Sequence, residues 1–444
     1  MRSRFGDPAR AWGALIIGAA ALQLAGGPAT AQLYKQSGAP VETRVRDLLS
    51  RMTLEEKFWQ LFMLSTPLEG DMEKYSNGAF GLQISSSGDS ACSTSYVNSV
   101  QRRFVEGTRL GIPIIPFDEA VHGLVLRDAV VFPQAIGLAA TFDTSLMRRV
   151  SRAIAIECRS RGIRQVLSPV VNIASDVRWG RVEETYGEDP RLASEMGVAF
   201  VSELEKRGVV TTPKHFIANV GDGGRDSYPI DYSERLIRET YLPPFEACVR
   251  RGDSRSIMAA YNSLDGTPCT ANDWLLNRLL KDEIAFKGFV ISDACAVGGA
   301  NVLHLTARDY TEATEHAMNS GLDVIFQTSF DHYPHFIEAF RKGLVDSATI
   351  DRAVSRVLRV KFELGLFEHP YADSAEWAGK AGAADVIRLA RAASRESIVL
   401  LKNDDRLLPL KNVRTIAVFG QDAVEARLGD YSGPGIEKVS ILDG

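Results

Sequence analysis

Seven short apolar runs punctuate this sequence, and hardly any of them alternates with polar residues. They are GLQIS from Gly81, IPIIPFDE from Ile112, QVLSPVVN from Gln165, VVTTPKHF from Val209, SIMAAYNS from Ser256, GFVISD from Gly288 and GLDVIFQ from Gly321. Such runs suit strands buried on both faces, as in a parallel sheet covered by helices. Amphipathic stretches lie between them. One helix is expected from Asp273 to Phe286, with Asn272 as its N-cap and Gly288 closing it. Another is expected from Ala348 to Leu364, where Ile350, Val354, Val357 and Leu364 form an apolar stripe; Ser347 would cap its start and Gly365 its end. Repeated βα units imply a doubly wound sheet or a barrel. Seven or eight units within residues 32–365 favour a TIM-type (β/α)8 barrel.

The flanks read differently. In residues 1–31, Arg2, Arg4 and Arg10 precede the apolar run WGALIIGAAALQLA, and Ala29-Thr30-Ala31 fits a small-x-small cleavage site. A membrane span needs about 20 apolar residues, so a cleaved export signal is expected, with a periplasmic or secreted product starting at Gln32. Residues 366–384 are rich in Ala, Gly and turn formers and read as a linker. Residues 385–444 offer one helix, VIRLARAASRESIVLL, and one convincing strand, TIAVFG at Thr415–Gly420. One strand cannot close a parallel layer, so this segment reads as the incomplete start of a second domain, an α/β sandwich. The net charge of −5, without a basic run, disfavours nucleic acid and anionic membrane as partners. The five cysteines include no CxxC and the seven histidines no HExxH or HxxxH, so neither a disulfide scaffold nor a metal site is expected, and no cofactor is implied.

Polar residues gather where the apolar runs stop. Asp118, Glu119 and His122 follow the second run, and Asp176, Arg178 and Arg181 the third. Lys214 and His215 end the fourth, Tyr261 and Asn262 the fifth, and Asp293 the sixth. In a barrel these ends share one mouth, where barrel enzymes place their sites. Carboxylates, bases and donors without a metal motif suit a polyhydroxylated ligand, and one carboxylate could attack an anomeric carbon. Each residue also has a plainer reading. Asp293 could cap the next helix, His215 and Tyr261 could be core residues, and Arg181 could be a surface ion-pair partner. Lys214 and His215 are adjacent, so both can face the site only where the backbone is irregular. Of Asp118 and Glu119, one could point inward and one outward. Lys214 could alternatively form a Schiff base.

The ordered set LLSRMTLEEKFWQL, RLGIPIIPFDEAVHG, DVRWGRVEETYGEDP, PKHF, MAAYNSLDG, GFVISDA, IDRAVSRVLRVKFELGLF and ESIVLLKND resembles glycoside hydrolase family 3. The resemblance covers essentially the whole chain after residue 31. It implies that Asp293, in the SDA motif, is the nucleophile of a retaining β-glycoside hydrolase of the β-glucosidase type that releases a non-reducing-end sugar. It implies that Glu119, Arg181, Lys214 and His215 bind sugar hydroxyls, and that Met258 and Tyr261 lie close to the nucleophile. The implied partner is a β-linked glycoside or oligosaccharide. A β-xylosidase of the same family and an inactive sugar-binding remnant are the alternatives.

Two departures from the family pattern bear on that reading. Many members carry Trp after the nucleophile, where this chain has Ala294. Two-domain members take their acid/base glutamate from a part of the second domain beyond residue 444. Single-domain members use a histidine in a DSH pattern, and here Tyr228 stands in its place. A phenol of pKa ~10 is a poor proton donor near neutrality. The 444-residue chain is therefore expected to cleave activated aryl glycosides better than disaccharides by roughly 10²–10⁴-fold, the usual worth of general acid–base catalysis. Steady-state kinetics on both substrate types checks this. Equal rates would show that proton donation is not the missing function.

Overall fold

The computed structural model describes residues 32–65, 72–84, 94–373, 375, 383–436 and 438–444. The expected signal segment and Cys92 lie outside these residues. Ten strands are present among the described residues: β1 Phe62–Leu64, β2 Gly81–Gln83, β3 Ile115–Asp118, β4 Gln165–Val166, β5 Val210–Thr211, β6 Ser256–Ala259, β7 Ser263–Leu264, β8 Thr267–Pro268, β9 Phe289–Ser292 and β10 Ile325–Gln327. Six of them make one curled parallel sheet in the order β10-β1-β2-β3-β4-β5. β6 and β9 form a separate parallel pair, in the register Ser256↔Phe289 to Ala259↔Ser292. β7 and β8 form a small antiparallel hairpin beyond β6.

Of the closed eight-stranded barrel expected from sequence, the structure shows an α/β fold with an open six-stranded parallel sheet. Regular pairing stops early on β4 and β5, just before Pro169 and Pro213, which have no N–H to offer a ladder. Beyond those prolines, pairing continues only as single parallel bridges, Val170↔Lys214 and Phe216↔Ala259. One more bridge, Ile291↔Val324, joins β9 to the chain entering β10.

Helices fill the intervals and pack their apolar faces onto the sheet. The helix Thr144–Ser160 starts where the Asp143 carboxylate accepts the N–H groups of Ser145 and Leu146, at 2.7 and 3.0 Å. It buries Leu146, Val150, Ile154 and Cys158 on one side, the i, i+4 spacing of a core face. The expected helix near 273–286 is Trp274–Glu283, wound with the wider π turn, and Asn272 Oδ1 does receive the Leu275 N–H at 3.1 Å. The last helix before residue 365 is Ser347–Glu363. Its cap is Asp346 instead of Ser347: the Asp346 carboxylate accepts from Thr349 N at 2.9 Å. Gly365 ends it with φ +68, a left-handed turn that favours glycine.

Two further corrections concern strands. β1 escapes sequence reading because helix Leu54–Gln60 and β1 share one apolar block, Phe58 to Leu64, which periodicity cannot divide. TIAVFG at 415–420 is not a strand: no described residue pairs with it, and Ile416 and Phe419 are exposed. A lone strand leaves its peptide groups to water and has nothing to hold it extended. The helix expected over VIRLARAASRESIVLL is Ala383–Glu396, so SIVLL lies past its end. Ile398–Leu401 beyond it are exposed, and no described helix is long and apolar enough to cross a membrane.

Gly288 sets the approach of β9 to β6. A Cβ there would stand 2.2 Å from the Arg255 carbonyl oxygen and 2.5 Å from its carbon, both backbone atoms that cannot swing aside. Gly288→Ala is expected to destabilise the protein by about 1–3 kcal/mol, the usual cost of forcing atoms into a filled core. Urea unfolding of the variant and the parent measures it. An unchanged midpoint would show that the pair is looser than described.

Candidate active site

β9 delivers Asp293 to the end of the sheet. The Ser292 hydroxyl accepts the Phe326 N–H at 2.9 Å and so ties β9 to β10. The Asp293 N–H donates to the Ala259 carbonyl at 3.2 Å, which continues the β6–β9 register by one residue. The Asp293 carboxylate does not cap the following helix, whose N-cap, Cys295, makes no side-chain cap bond. Its Oδ1 accepts the Ala294 N–H at 2.7 Å. Its Oδ2 is buried and receives no well-formed hydrogen bond from any described residue. Burial raises the Asp293 pKa above the ordinary carboxylate value, against the pull of Lys214, the Ala294 N–H, Arg181 and Tyr261.

His215 stands beside it, with Nε2 3.5 Å from Asp293 Oδ2. That distance could describe an ion pair, but the surrounding hydrogen bonds settle the charge. Asn172 Oδ1 accepts from both the His215 backbone N–H, at 2.8 Å, and Nδ1, at 2.9 Å. Arg181, which can only donate, lies 3.1 Å from Nε2. The ring is therefore the neutral Nδ1–H tautomer, with the Nε2 lone pair turned to Arg181. Burial, then the charges of Arg181 and Lys214, push its pKa well below 6.5. A neutral imidazole gives Asp293 Oδ2 no proton.

Two cations flank this pair. Lys214 is almost fully buried, and its Nζ reaches Glu119 Oε1 at 2.8 Å and Oε2 at 3.0 Å. Burial opposes its charge, but Glu119 more than compensates and raises its pKa. Burial lifts Glu119 to about 7, opposed by Lys214 and aided by Asp118 and Asp293. Arg181 grips Glu184 through two bonds of 2.8 Å. Burial alone would lower its pKa, and that bidentate pair turns the shift upward. Tyr261, at the end of β6, is half-buried near Asp293, and burial followed by the Asp293 charge raises its pKa.

The structure thus gathers Glu119, Arg181, Lys214, His215, Tyr261 and Asp293 at one end of the sheet. Both Lys214 and His215 face the cluster, because Lys214 lies past the regular end of β5 in a single bridge. Asp118 and Glu119 both turn inward: Asp118 is fully buried and accepts the Glu119 N–H at 2.9 Å, while Glu119 meets Lys214. Met258 is buried on β6 opposite Ile291, below the level of Asp293. Asp176 and Arg178 pair with each other at 2.6 Å on the exposed surface and take no part. His122 packs away from the cluster, with Nδ1 2.8 Å from Phe132 O and Nε2 3.1 Å from Asp430 O. Tyr228, in the DSH-like position, is 46% exposed and lies against Arg225.

Three participants escaped sequence reading. Asn172, at the end of the QVLSPVVN run, fixes the His215 ring. Glu184, three residues after Arg181, aims the guanidinium, and the i, i+3 spacing in RVEE was its only signal. Tyr431 comes from far along the chain: its hydroxyl lies 3.4 Å from Arg181, and its ring centre 4.5 Å from Lys214 Nζ.

The profile of the glycosyl hydrolase family 3 N terminal domain matches residues 53–360. This chain belongs to glycosyl hydrolase family 3. The profile of the family 3 C-terminal domain matches residues 398–444. The chain is 36% identical to a β-xylosidase of Formosa agariphila, over 76% of this chain and 51% of that protein. It is 34% identical to a periplasmic β-glucosidase of Salmonella typhimurium, over 96% of this chain and 57% of that one. Among solved structures it resembles a β-glucosidase from Erythrobacter marinus, with TM-score 0.86 and 33% identity, covering 93% of this chain and 57% of that one. A Listeria innocua β-glucosidase in complex with isofagomine gives TM-score 0.80 at 31% identity, covering 90% of this chain and 57% of that one. The family 3 chain spans about half the length of the curated relatives it matches.

The buried pair in this family 3 site makes a stability prediction. A carboxyl whose native pKa is lifted from 4.5 to about 7 holds its proton more tightly when folded, so it costs stability as pH rises through that window. Lys214 restrains the rise. In Lys214→Met the penalty deepens, approaching the ~3–5 kcal/mol cost of a buried charge that has lost its partner. The deficit against wild type is expected to stay level below about pH 6 and to grow from about pH 7 to pH 9, above the wild-type Glu119 pKa, as read by thermal unfolding across that range. A deficit that shrinks with pH would contradict the pairing.

Proposed function

We propose that this chain carries the nucleophile's half of a retaining, exo-acting β-glycoside hydrolase of the β-glucosidase type. The observation that carries the reading is Asp293. One oxygen is anchored by the Ala294 N–H, and the buried carboxylate has the Tyr261 phenol within hydrogen-bonding range and His215 Nε2 3.5 Å from its other oxygen. A carboxylate held in place at the end of the sheet, with its neighbours fixing its orientation, can attack an anomeric carbon. The carboxylate is the attacking form, so the raised pKa places the acid limb of activity above the ordinary aspartate range. Attack forms a glycosyl ester on Asp293 and releases the aglycone, and water then cleaves the ester with overall retention.

In this reading Lys214, Glu119, Arg181 and the neutral His215 hold sugar hydroxyls, and Tyr261 and Met258 border the nucleophile. Neutrality suits His215, since an imidazolium beside Asp293 would quench the nucleophile. Among the described residues the chemistry of proton donation to the aglycone has no assigned group. The two sheets and their bridges are read as one eight-strand (β/α)8 barrel, with Phe216↔Ala259 and Ile291↔Val324 as its remaining seams. The β-xylosidase reading is kept beside the β-glucosidase one because relatives of both names match over most of the chain. We also propose export, on the arginine-led apolar run at the N-terminus and the periplasmic relative.

A 2-deoxy-2-fluoro-β-glycosyl fluoride slows hydrolysis of the glycosyl ester and traps it. Intact-mass and peptide mapping after incubation are expected to show one sugar per chain, on Asp293. Labelling of any other carboxylate, or none with either the gluco or the xylo reagent, would remove Asp293 from the nucleophile's role.

A further inference from the structure

Residues 428–435, LGDYSGPG, lie across the rim of the candidate site. Their backbone is latched there by side chains from the barrel region. Gln134 Nε2 donates to the carbonyls of Leu428 and Asp430, both at 2.9 Å. The Asp430 N–H donates to Glu183 Oε1 at 2.9 Å, and His122 Nε2 lies 3.1 Å from Asp430 O. At the far end the Asp128 N–H donates to Gly435 O at 3.0 Å. Gly433 makes this approach possible: a Cβ there would stand 2.8 Å from Leu126 N and 2.9 Å from the Val125 carbonyl carbon. The upstream stretch is different, with Leu401 91% and Phe419 89% exposed. The segment therefore docks on its own contacts.

What the latch presents is Tyr431. Its backbone has φ +53, which a bulky L-residue adopts only where its surroundings impose it. Its ring covers the Lys214 ammonium at 4.5 Å, and its oxygen lies 3.4 Å from Arg181 NH2. Arginine can only donate, so Arg181 uses a lone pair of the phenol and leaves the phenol proton uncommitted. Lys214 alone would lower the phenol's pKa, but burial and the charges of Glu119 and Glu184 carry it above 10, so the proton stays on.

We propose that Tyr431 is a substrate-contacting residue of the same sugar site, donating its phenolic hydrogen bond to a sugar hydroxyl while its ring walls the pocket over Lys214. The inference rests on the proposed glycosidase reading. It makes the sugar pocket a joint product of two distant stretches of chain: the strand ends supply Lys214 and Arg181, and the strap supplies the donor between them. Gln134 acts as a positioning residue, because it holds the strap's carbonyls on either side of Gly429 without reaching the cluster.

The test uses the full chain and its Tyr431→Phe, Tyr431→Ala and Gln134→Ala variants. Binding of glucose and of xylose is measured by calorimetry, KM and kcat with an aryl β-glycoside, and melting temperature for each protein. For the sugar that wild type prefers, Tyr431→Phe is expected to bind roughly tenfold more weakly, the worth of one hydrogen bond, at an unchanged melting temperature. Its loss should fall mainly on KM. Tyr431→Ala should lose roughly a hundredfold, and Gln134→Ala a smaller factor with the same KM bias. Binding by Tyr431→Phe within twofold of wild type overturns the inference. So does tighter binding by Tyr431→Ala, which would mean that the ring occupies the sugar's own place. If wild type neither binds nor cleaves any glycoside, the functional reading itself fails and this inference fails with it; wild-type binding with an indifferent Tyr431 sinks the inference alone.

Discussion

One buried ammonium organises this site. Lys214 is 1% exposed, with Glu119 as its counter-charge. Its field reaches every neighbour. It opposes the rise that burial gives the carboxyl of Asp293, restrains Glu119, adds to burial and Arg181 in keeping His215 neutral, and lies beneath the ring of Tyr431. An isolated ion in such a place would be prohibitive, and a paired one is tolerated only when its hydrogen bonds are well formed. Glu119 meets that condition with both oxygens within 3.0 Å. The pair is thus a local field beside which the Asp293 carboxyl and a neutral histidine can coexist.

The backbone makes that field possible by ending strands together. The Ala259↔Ser292 register puts Asp293 one residue beyond the top of β9, and the end of β6 carries Tyr261 to its side. Pro213 stops the β5 ladder just before Lys214, so two consecutive side chains can turn into one cluster, which a regular strand forbids. Short ladders are a cost in sheet hydrogen bonding. Buried side-chain amides and hydroxyls take up part of it: Asn172 caps the peptide at His215, and Ser292 caps the one at Phe326. Position, charge and tautomer of the site groups therefore trace to the same few residues.

Much of this was legible in the sequence because it is local. Apolar runs ending in polar residues located Glu119, Lys214, His215, Tyr261 and Asp293, and the structure brings them together. The parts that were not legible are those set by long-range contact. β1 hid inside the apolar block Phe58–Leu64, whose first residues belong to the helix Leu54–Gln60. Asp346, not Ser347, took the cap, since a choice between adjacent capping residues is made by the helix's packing. TIAVFG has the composition of a strand, but a strand needs a partner. Tyr431 could not be found at all by periodicity, because a contact with Arg181 across 250 residues of sequence leaves no local trace.

Attack on the anomeric carbon by Asp293, as proposed, can be tested by removing that carboxylate. Asp293→Ala removes the carboxylate and opens space for a small anion beside the sugar. With an activated aryl β-glycoside and sodium azide, the variant is expected to regain release of the phenol and to yield the α-glycosyl azide, identified by its anomeric proton coupling. Azide would then have done from outside, with a single inversion, what is proposed for the carboxylate. Recovery of the β-azide, or no response to azide in a variant that still binds the sugar, would contradict the assignment.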